Sequence, residues 1–138
     1  MDLKGSVLAV DYGKRRTGLA ITDPMRMIAS PLDTVPTEQL MPQLHRLQQE
    51  YQFREIVVGL PMREHGVPGE LEEDIQEFLK KFQAEFPNMP VHRIDESYTS
   101  IRASEAMWQS GAKKKKRQEK GAIDRVSAAI ILQQFLES

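Results

Sequence analysis

Short apolar runs and helical repeats alternate along the chain and predict its secondary structure. Apolar runs rich in β-branched residues are typical of buried strands, whereas apolar residues at steps of three and four indicate helices. The runs predict five strands, at residues 6–11, 17–22, 27–35, 55–59 and 91–95. The steps predict four helices, from near Pro42 to Tyr51, over 71–86, from Ser97 or Thr99 to Gly111, and over 122–136.

The order of these elements predicts an α/β fold. The first two strands flank the turn at 13–18, so we expect them to form a hairpin with a third strand beside it. Each later strand follows a helix and is expected to run parallel to the first strand through a right-handed crossover. The result is a mixed five-stranded sheet flanked by helices, in a single domain spanning 1–138.

Charge is nearly balanced over the whole chain but not along it. The 138 residues include 19 lysines and arginines and 20 aspartates and glutamates. Residues 70–86 carry a net charge of −4, whereas residues 113–125 carry +5. The overall charge of −1 therefore does not exclude a nucleic-acid partner, and we expect such binding to weaken steeply with salt.

The chain has no cysteine, which excludes thiol nucleophiles, disulfides and thiolate metal sites. The apolar run at residues 7–10 is too short for a signal peptide or a membrane span. We therefore expect a cytoplasmic protein without a membrane partner.

Acidic residues occupy places where a carboxylate is hard to explain structurally. Asp11 ends an apolar strand and shares a face with Val7 and Ala9, while Asp95 and Glu96 end the fifth strand. In the last helix, Asp124 shares a stripe with four apolar residues, namely Ala128, Ile131, Leu132 and Phe135. Arg125 and Gln133 are expected to turn outward from that stripe.

Several carboxylates brought together are a suitable ligand set for Mg²⁺ or Mn²⁺. Two such ions can stabilise both the attacking and the leaving oxygen of a phosphodiester displacement, so no serine or cysteine is needed. The candidate metal ligands are Asp11, Asp95, Glu96 and Asp124, and the choice between Asp95 and Glu96 stays open at this point. Taken singly, Asp11 could serve only to cap its turn, and Asp124 could serve only to favour the helix dipole.

Basic residues form two groups that suit a phosphate backbone. Lys14, Arg15 and Arg16 follow Asp11 directly. The second group has six bases in eight residues, namely Lys113, Lys114, Lys115, Lys116, Arg117 and Lys120. It contains no aromatic residue, so it could hold phosphates but not stack on bases. The alternative for either group is a solvated loop.

The chain resembles the YqgF (RuvX) family in four motifs: Asp11-Tyr12-Gly13-Lys14-Arg15-Arg16-Thr17-Gly18, Ile56-Val57-Val58-Gly59-Leu60-Pro61, Asp95-Glu96-Ser97 and Lys120-Gly121-Ala122-Ile123-Asp124-Arg125-Val126-Ser127-Ala128. The resemblance implies an RNase H-like nuclease domain related to the RuvC resolvase. It also implies Asp11, Glu96 and Asp124 as catalytic residues, and structured RNA, the 5′ end of pre-16S rRNA, as substrate.

The resemblance departs at one position and leaves other functions open. The family usually has arginine where this chain has Ser97, and Arg93 or Arg102 could supply the missing cation. The alternatives are a Holliday junction resolvase acting on branched DNA and a non-catalytic RNA-binding factor in ribosome assembly. A phosphate-binding module of actin-like kinases is disfavoured because it needs two domains. Either a monomer or a homodimer is compatible with the sequence.

Overall fold

The computed structural model describes residues 5–61, 69–95 and 120–138, which contribute five strands and three α-helices. The strands are β1 (Val7–Asp11), β2 (Arg16–Thr22), β3 (Ala29–Pro36), β4 (Glu55–Leu60) and β5 (Val91–Asp95). The helices are α1 (Leu40–Tyr51), α2 (Leu71–Glu85) and α3 (Lys120–Glu137), and a 3-10 turn at Thr37–Gln39 leads into α1. The helix predicted between Ser97 or Thr99 and Gly111 lies outside the described residues.

The strands form one mixed sheet in the order β3-β2-β1-β4-β5. β1, β2 and β3 pair antiparallel, whereas β4 runs parallel to both β1 and β5. Parallel neighbours need a crossover, which α1 provides before β4 and α2 provides before β5. The predicted α/β fold with a mixed five-stranded sheet is confirmed.

Alternation along each strand divides the core between the two faces of the sheet. Leu8 and Val10 of β1 belong to the core that holds the buried residues of α1 and α2. Val7 and Ala9 belong to the core that lies beneath α3. A residue's parity in its strand therefore decides which helices it faces.

β3 forms one edge of the sheet and starts two residues later than predicted. The Asp23 carboxylate accepts hydrogen bonds from the backbone N–H groups of Met27 and Ile28, both at 2.9 Å, which holds these residues in the connecting loop. The pairing with β2 shifts register between Leu19 and Ala20, opposite the part of β3 that contains Pro31. Proline is tolerated here because an edge strand needs hydrogen bonds on one side only.

Within the described ranges, none of the helices has both the length and the apolar character that crossing a membrane requires.

Candidate active site

Asp11 is the last residue of β1 and lies on the face that α3 covers. Val7 and Ala9 pack in the core beneath this helix, and alternation places Asp11 in line with them. Asp11 is half-buried, and β1 pairs it with Gly18 of β2. The sequence prediction that these three residues share a face agrees with this arrangement.

The beginning of α3 packs directly on Gly18. A Cβ at this position would overlap the backbone carbonyl oxygen of Asp124, so only glycine allows the helix to approach β2 so closely. Because Gly18 is the pairing partner of Asp11, the backbone of Asp124 packs on the strand next to Asp11. Two aspartates far apart in the sequence therefore meet at the same end of the sheet.

The apolar stripe predicted behind Asp124 docks α3 on the sheet. Its buried members and the partly buried residue that packs against them are Ala128, Ile131, Leu132 and Phe135. Gln133 is exposed, as expected. The expectation for Arg125 was wrong: this residue is half-buried and reaches across to β3, with its Nη1 3.5 Å from Thr34 Oγ1. The helix lies close to the edge of the sheet here, and a long side chain beside the stripe can follow its surface.

Arg16 and Asp124 form an ion pair in the structure. The Nε atom of Arg16 lies 2.8 Å from Oδ2 of Asp124, and the two side chains are 46% and 24% exposed. The sequence assigned these residues to different tasks, the arginine to the nucleic-acid backbone and the aspartate to a metal. Their contact joins the basic turn to the acidic site, and their separation of 108 positions in the sequence left no local signal of it.

The basic turn between β1 and β2 is held by threonine hydroxyl groups. Thr37 Oγ1 donates to the carbonyl oxygen of Gly13 at 2.6 Å and lies 2.8 Å from Thr17 Oγ1. The backbone N–H of Thr37 donates to the carbonyl oxygen of Arg15 at 2.9 Å. These bonds fix the backbone of the turn, while Lys14, Arg15 and Arg16 remain exposed. Sequence analysis missed Thr37, whose role depends on the 3-10 turn that brings it to this loop.

Arg93 of β5 cannot supply a cation beside the acidic site, so that expectation was wrong. Its guanidinium donates to both carboxylate oxygens of Glu72 in α2, at 2.9 and 2.7 Å, and to the carbonyl oxygens of Val58 and Gly59 at 3.0 Å. The hydrogen bonds from Arg93 lower the pKa of Glu72 despite its partial burial. Arg93 is thus committed to the α2 side of the sheet, because alternation turns it away from α3.

Asp95 ends β5, as predicted, and alternation assigns it to the same side as Arg93. The neighbours of opposite parity are His92, whose ring packs on Phe135 at 4.8 Å, and Ile94, which belongs to the core beneath α3. Asp95 is exposed at the strand end. Alternation therefore assigns Asp95 and Asp11 to opposite faces of the sheet.

The remaining predicted site residues lie at the boundary of the described ranges or outside them. Lys120 is the first residue of α3. The others lie outside the described residues: Glu96, Ser97, Arg102, Lys113, Lys114, Lys115, Lys116 and Arg117.

Of the predicted metal set, the described residues place Asp11 and Asp124 at the same end of the sheet, on neighbouring parts of the fold. Within 5–61, 69–95 and 120–138, no three side chains of His, Asp or Glu group closely enough to hold a metal ion. The donor chemistry nevertheless fits a hard divalent cation, because carboxylate oxygens at the C-terminal edge of a sheet are the ligands that Mg²⁺ prefers. The missing side chain of Gly18 supports the same fit, since it allows the two aspartates to converge.

Comparison with known families identifies the family to which this chain belongs. A family model described as "RuvX: Holliday junction resolvase" matches residues 5–138. The chain belongs to the RuvX family. RuvX is a family of nucleases, and the protein is accordingly a nuclease of this family.

Curated relatives and a solved structure agree with the RuvX assignment. A protein of Christiangramia forsetii named "Putative pre-16S rRNA nuclease" is 46% identical over 130 residues, which cover 94% of this chain and 96% of the relative. A protein of the same name from Phocaeicola vulgatus is 42% identical over 132 residues, covering 96% and 95% of the two chains. Thermus thermophilus RuvC, solved in complex with a Holliday junction substrate, aligns with a TM-score of 0.59 at 15% identity over 95% of this chain and 93% of its own. This last likeness shows the RNase H-like fold.

Proposed function

We propose that this RuvX-family protein is a metal-dependent endonuclease that hydrolyses phosphodiester bonds at the 5′ end of pre-16S rRNA. The observation that carries the proposal is the placement of Asp11 beside Gly18, on which the backbone of Asp124 packs, with Arg16 paired to Asp124. The name that these relatives carry supports the choice of substrate.

Asp11, Asp124 and Glu96 would hold Mg²⁺ or Mn²⁺. When bound, the metal polarises the phosphodiester and stabilises the charge that develops during hydrolysis. We assign the third carboxylate to Glu96, as the family resemblance implies, because alternation in β5 gives Asp95 the parity of Arg93, on the α2 side of the sheet. Asp95 is left out of this set, because it lies on the side of Arg93.

The basic residues would hold the nucleic-acid backbone beside the acidic site. Lys14 and Arg15 are exposed on a turn whose backbone Thr37 fixes, so their charges stand at a defined place next to Asp11. Arg16 orients the carboxylate of Asp124 through its 2.8 Å bond. The residues expected to extend this grip are Lys113, Lys114, Lys115, Lys116, Arg117 and Lys120.

The Asp11→Asn variant tests this proposal directly. We expect it to lose cleavage of a precursor rRNA fragment in Mg²⁺ or Mn²⁺, because an amide cannot replace the carboxylate charge, and to bind the fragment nearly as well as the parent. The control is Glu73→Gln, which removes one carboxylate charge from an exposed position on α2. Cleavage and filter-binding assays on the same preparation provide both readouts.

Undiminished cleavage by Asp11→Asn would refute the site. If instead the parent protein binds the fragment tightly but cleaves nothing in either metal, the protein is a binding factor in ribosome assembly and the proposed activity is wrong.

A second candidate function is Holliday junction resolution, favoured by the description of the family model. Phosphate contacts do not distinguish the two sugars, so the substrate has to be compared directly. A four-way DNA junction assayed beside the rRNA fragment separates the candidates. Preferential, symmetric cleavage of the junction by a dimeric protein would favour the resolvase.

A further inference from the structure

A pocket of about 350 Å³ adjoins the candidate active site on the side of the outer edge strand. It lies between the end of β3 and the beginning of α3, and its polar lining comes from Arg16, Arg125, Thr34 and Asp33. Arg16 belongs to both places, because its Nε atom contacts Asp124 while its side chain lines the pocket. The pocket is therefore a direct continuation of the acidic site.

The chemistry of the lining suits a phosphate group. Two guanidinium groups keep their charge at any physiological pH, and each presents a planar set of donors that matches phosphate oxygens. Arg16 uses Nε for Asp124, so its terminal nitrogens can still donate to another acceptor. The lining contains one acid, Asp33, which accepts a hydrogen bond from the backbone N–H of Thr34 at 2.8 Å. Two arginines against one aspartate give the lining a net positive charge.

The same lining argues against recognition of a base. No aromatic side chain contributes to it, so there is no surface on which a base could stack. The Thr34 hydroxyl is also engaged, since it donates to the carbonyl oxygen of Gly121 at 2.5 Å. Arg125 contacts that hydroxyl at 3.5 Å, which places its guanidinium at the lining of the pocket.

The position of the pocket fits a neighbouring phosphate of the same strand. β2 separates β1 from β3, which places the pocket about 10 Å from Asp11 across the sheet. Resting on the nuclease activity proposed above, we infer that this pocket binds a backbone phosphate next to the cleaved one, with Arg125 as its principal ligand and Arg16 shared between phosphate and Asp124.

The test compares Arg125→Gln with Arg125→Lys in the Asp11→Asn background, where the substrate is bound but not cut. We expect Arg125→Gln to weaken binding of the rRNA fragment about tenfold and to reduce the slope of log K against log salt by about 0.7–0.9, the loss of one phosphate contact. Arg125→Lys keeps the charge and should restore the slope but only part of the affinity. Arg46→Gln, an exposed arginine on α1 paired with Glu50, is the control for charge alone.

Single methylphosphonate substitutions then locate the contact. Neutralising one particular phosphate near the cut should weaken binding of the Arg125 protein more than that of Arg125→Gln, which keeps only Arg16 as a ligand for it. If every position weakens both proteins equally, or if Arg125→Gln binds like Arg46→Gln, the pocket does not hold a phosphate. These results leave the proposed function standing when the parent still cleaves, whereas a parent that neither binds nor cleaves the fragment refutes the proposed function itself.

Discussion

At the scale of single residues, Asp95 and Glu96 are the pair that sequence reasoning could not separate. Both are acids at the end of a strand, and the spacing of motifs fits either. The structure places only Asp95: Arg93 contacts Glu72 of α2 and His92 contacts Phe135 of α3, so the period of two in β5 assigns Asp95 to the α2 side. Glu96 lies outside the described residues, and its choice as the ligand rests on the family resemblance.

This parity predicts different outcomes for two conservative substitutions. Glu96→Gln should lower the rate of cleavage by at least about a hundredfold, because loss of an outer-shell partner of a metal already costs 10–100-fold. Asp95→Asn should cleave at a rate close to that of the parent. Single-turnover cleavage at saturating protein measures both, and titration of Mn²⁺ reports the loss of metal affinity separately. Equal defects in the two variants would contradict the assignment.

Other residue contacts lay beyond any prediction from sequence. Asp11 and Asp124 could be singled out because each places a carboxylate in an apolar pattern. The pairing of Arg16 with Asp124 and the reach of Arg125 to Thr34 depend on how α3 settles on β2 and β3. The error over Arg93 came from reasoning by closeness along the chain, when the face of the strand decides the partner.

At the scale of elements, the position of α3 depends on a residue that lies in another element. Its apolar stripe could be read from the sequence, because steps of three and four in the last helix place the apolar side chains on one side. The stripe fixes which side of the helix meets the sheet. How closely the first turn approaches β2 is fixed instead by Gly18.

Replacing Gly18 with alanine should move the beginning of α3. The added Cβ overlaps the carbonyl oxygen of Asp124, so we expect a loss of about 1–3 kcal/mol in the free energy of unfolding, as for other overpacked sites. Cleavage should fall further than stability explains, because Asp124 is displaced from Asp11. Urea unfolding and cleavage at a temperature where the variant remains folded measure the two effects.

Gly69→Ala is the control, because among the residues that the structure describes a Cβ there would come near the carbonyl oxygen of Pro61 alone, at 3.8 Å, an ordinary contact. We expect this variant to keep both stability and cleavage. A Gly18→Ala protein that behaves in the same way would show that α3 does not need this close approach.

At the scale of the whole molecule, the two ends of the sheet have different roles. The candidate site lies where β1 ends, while the opposite end is held by a charged cluster of Arg26, Glu55 and His92. Glu55 pairs with Arg26 of the β2–β3 loop and lies 2.7 Å from His92 of β5. Burial alone would raise the pKa of Glu55, but hydrogen bonds from His92 and Arg26 outweigh burial and lower it.

This cluster predicts a pH dependence of stability that is independent of catalysis. Because the pKa of Glu55 is lower in the folded than in the unfolded protein, its contribution is complete above the ordinary value of 4.5 and is lost as the pH falls through the folded pKa. Glu55→Gln should therefore cost about 1–3 kcal/mol near pH 7 and less below pH 4. Urea unfolding between pH 3 and pH 7 measures the difference.

Glu50→Gln is the control, because Glu50 pairs with Arg46 at an exposed position where such a pair is worth little. We expect it to match the parent across the whole pH range. A Glu55→Gln protein whose deficit stays constant down to pH 3 would show that the cluster acts through packing and not through charge.

The edge strand β3 also limits how two copies of this protein can associate. Pro31 and Pro36 in β3 have no N–H to offer, and the irregular register opposite Pro31 twists the strand locally. An incoming strand would find an interrupted row of donors and could not extend the ladder. Pro31 and Pro36 thus prevent the sheet from continuing into a second molecule at the open edge of β3. A homodimer of this chain is expected to associate through a surface other than the open edge of β3, and a fibre seeded on this strand is disfavoured.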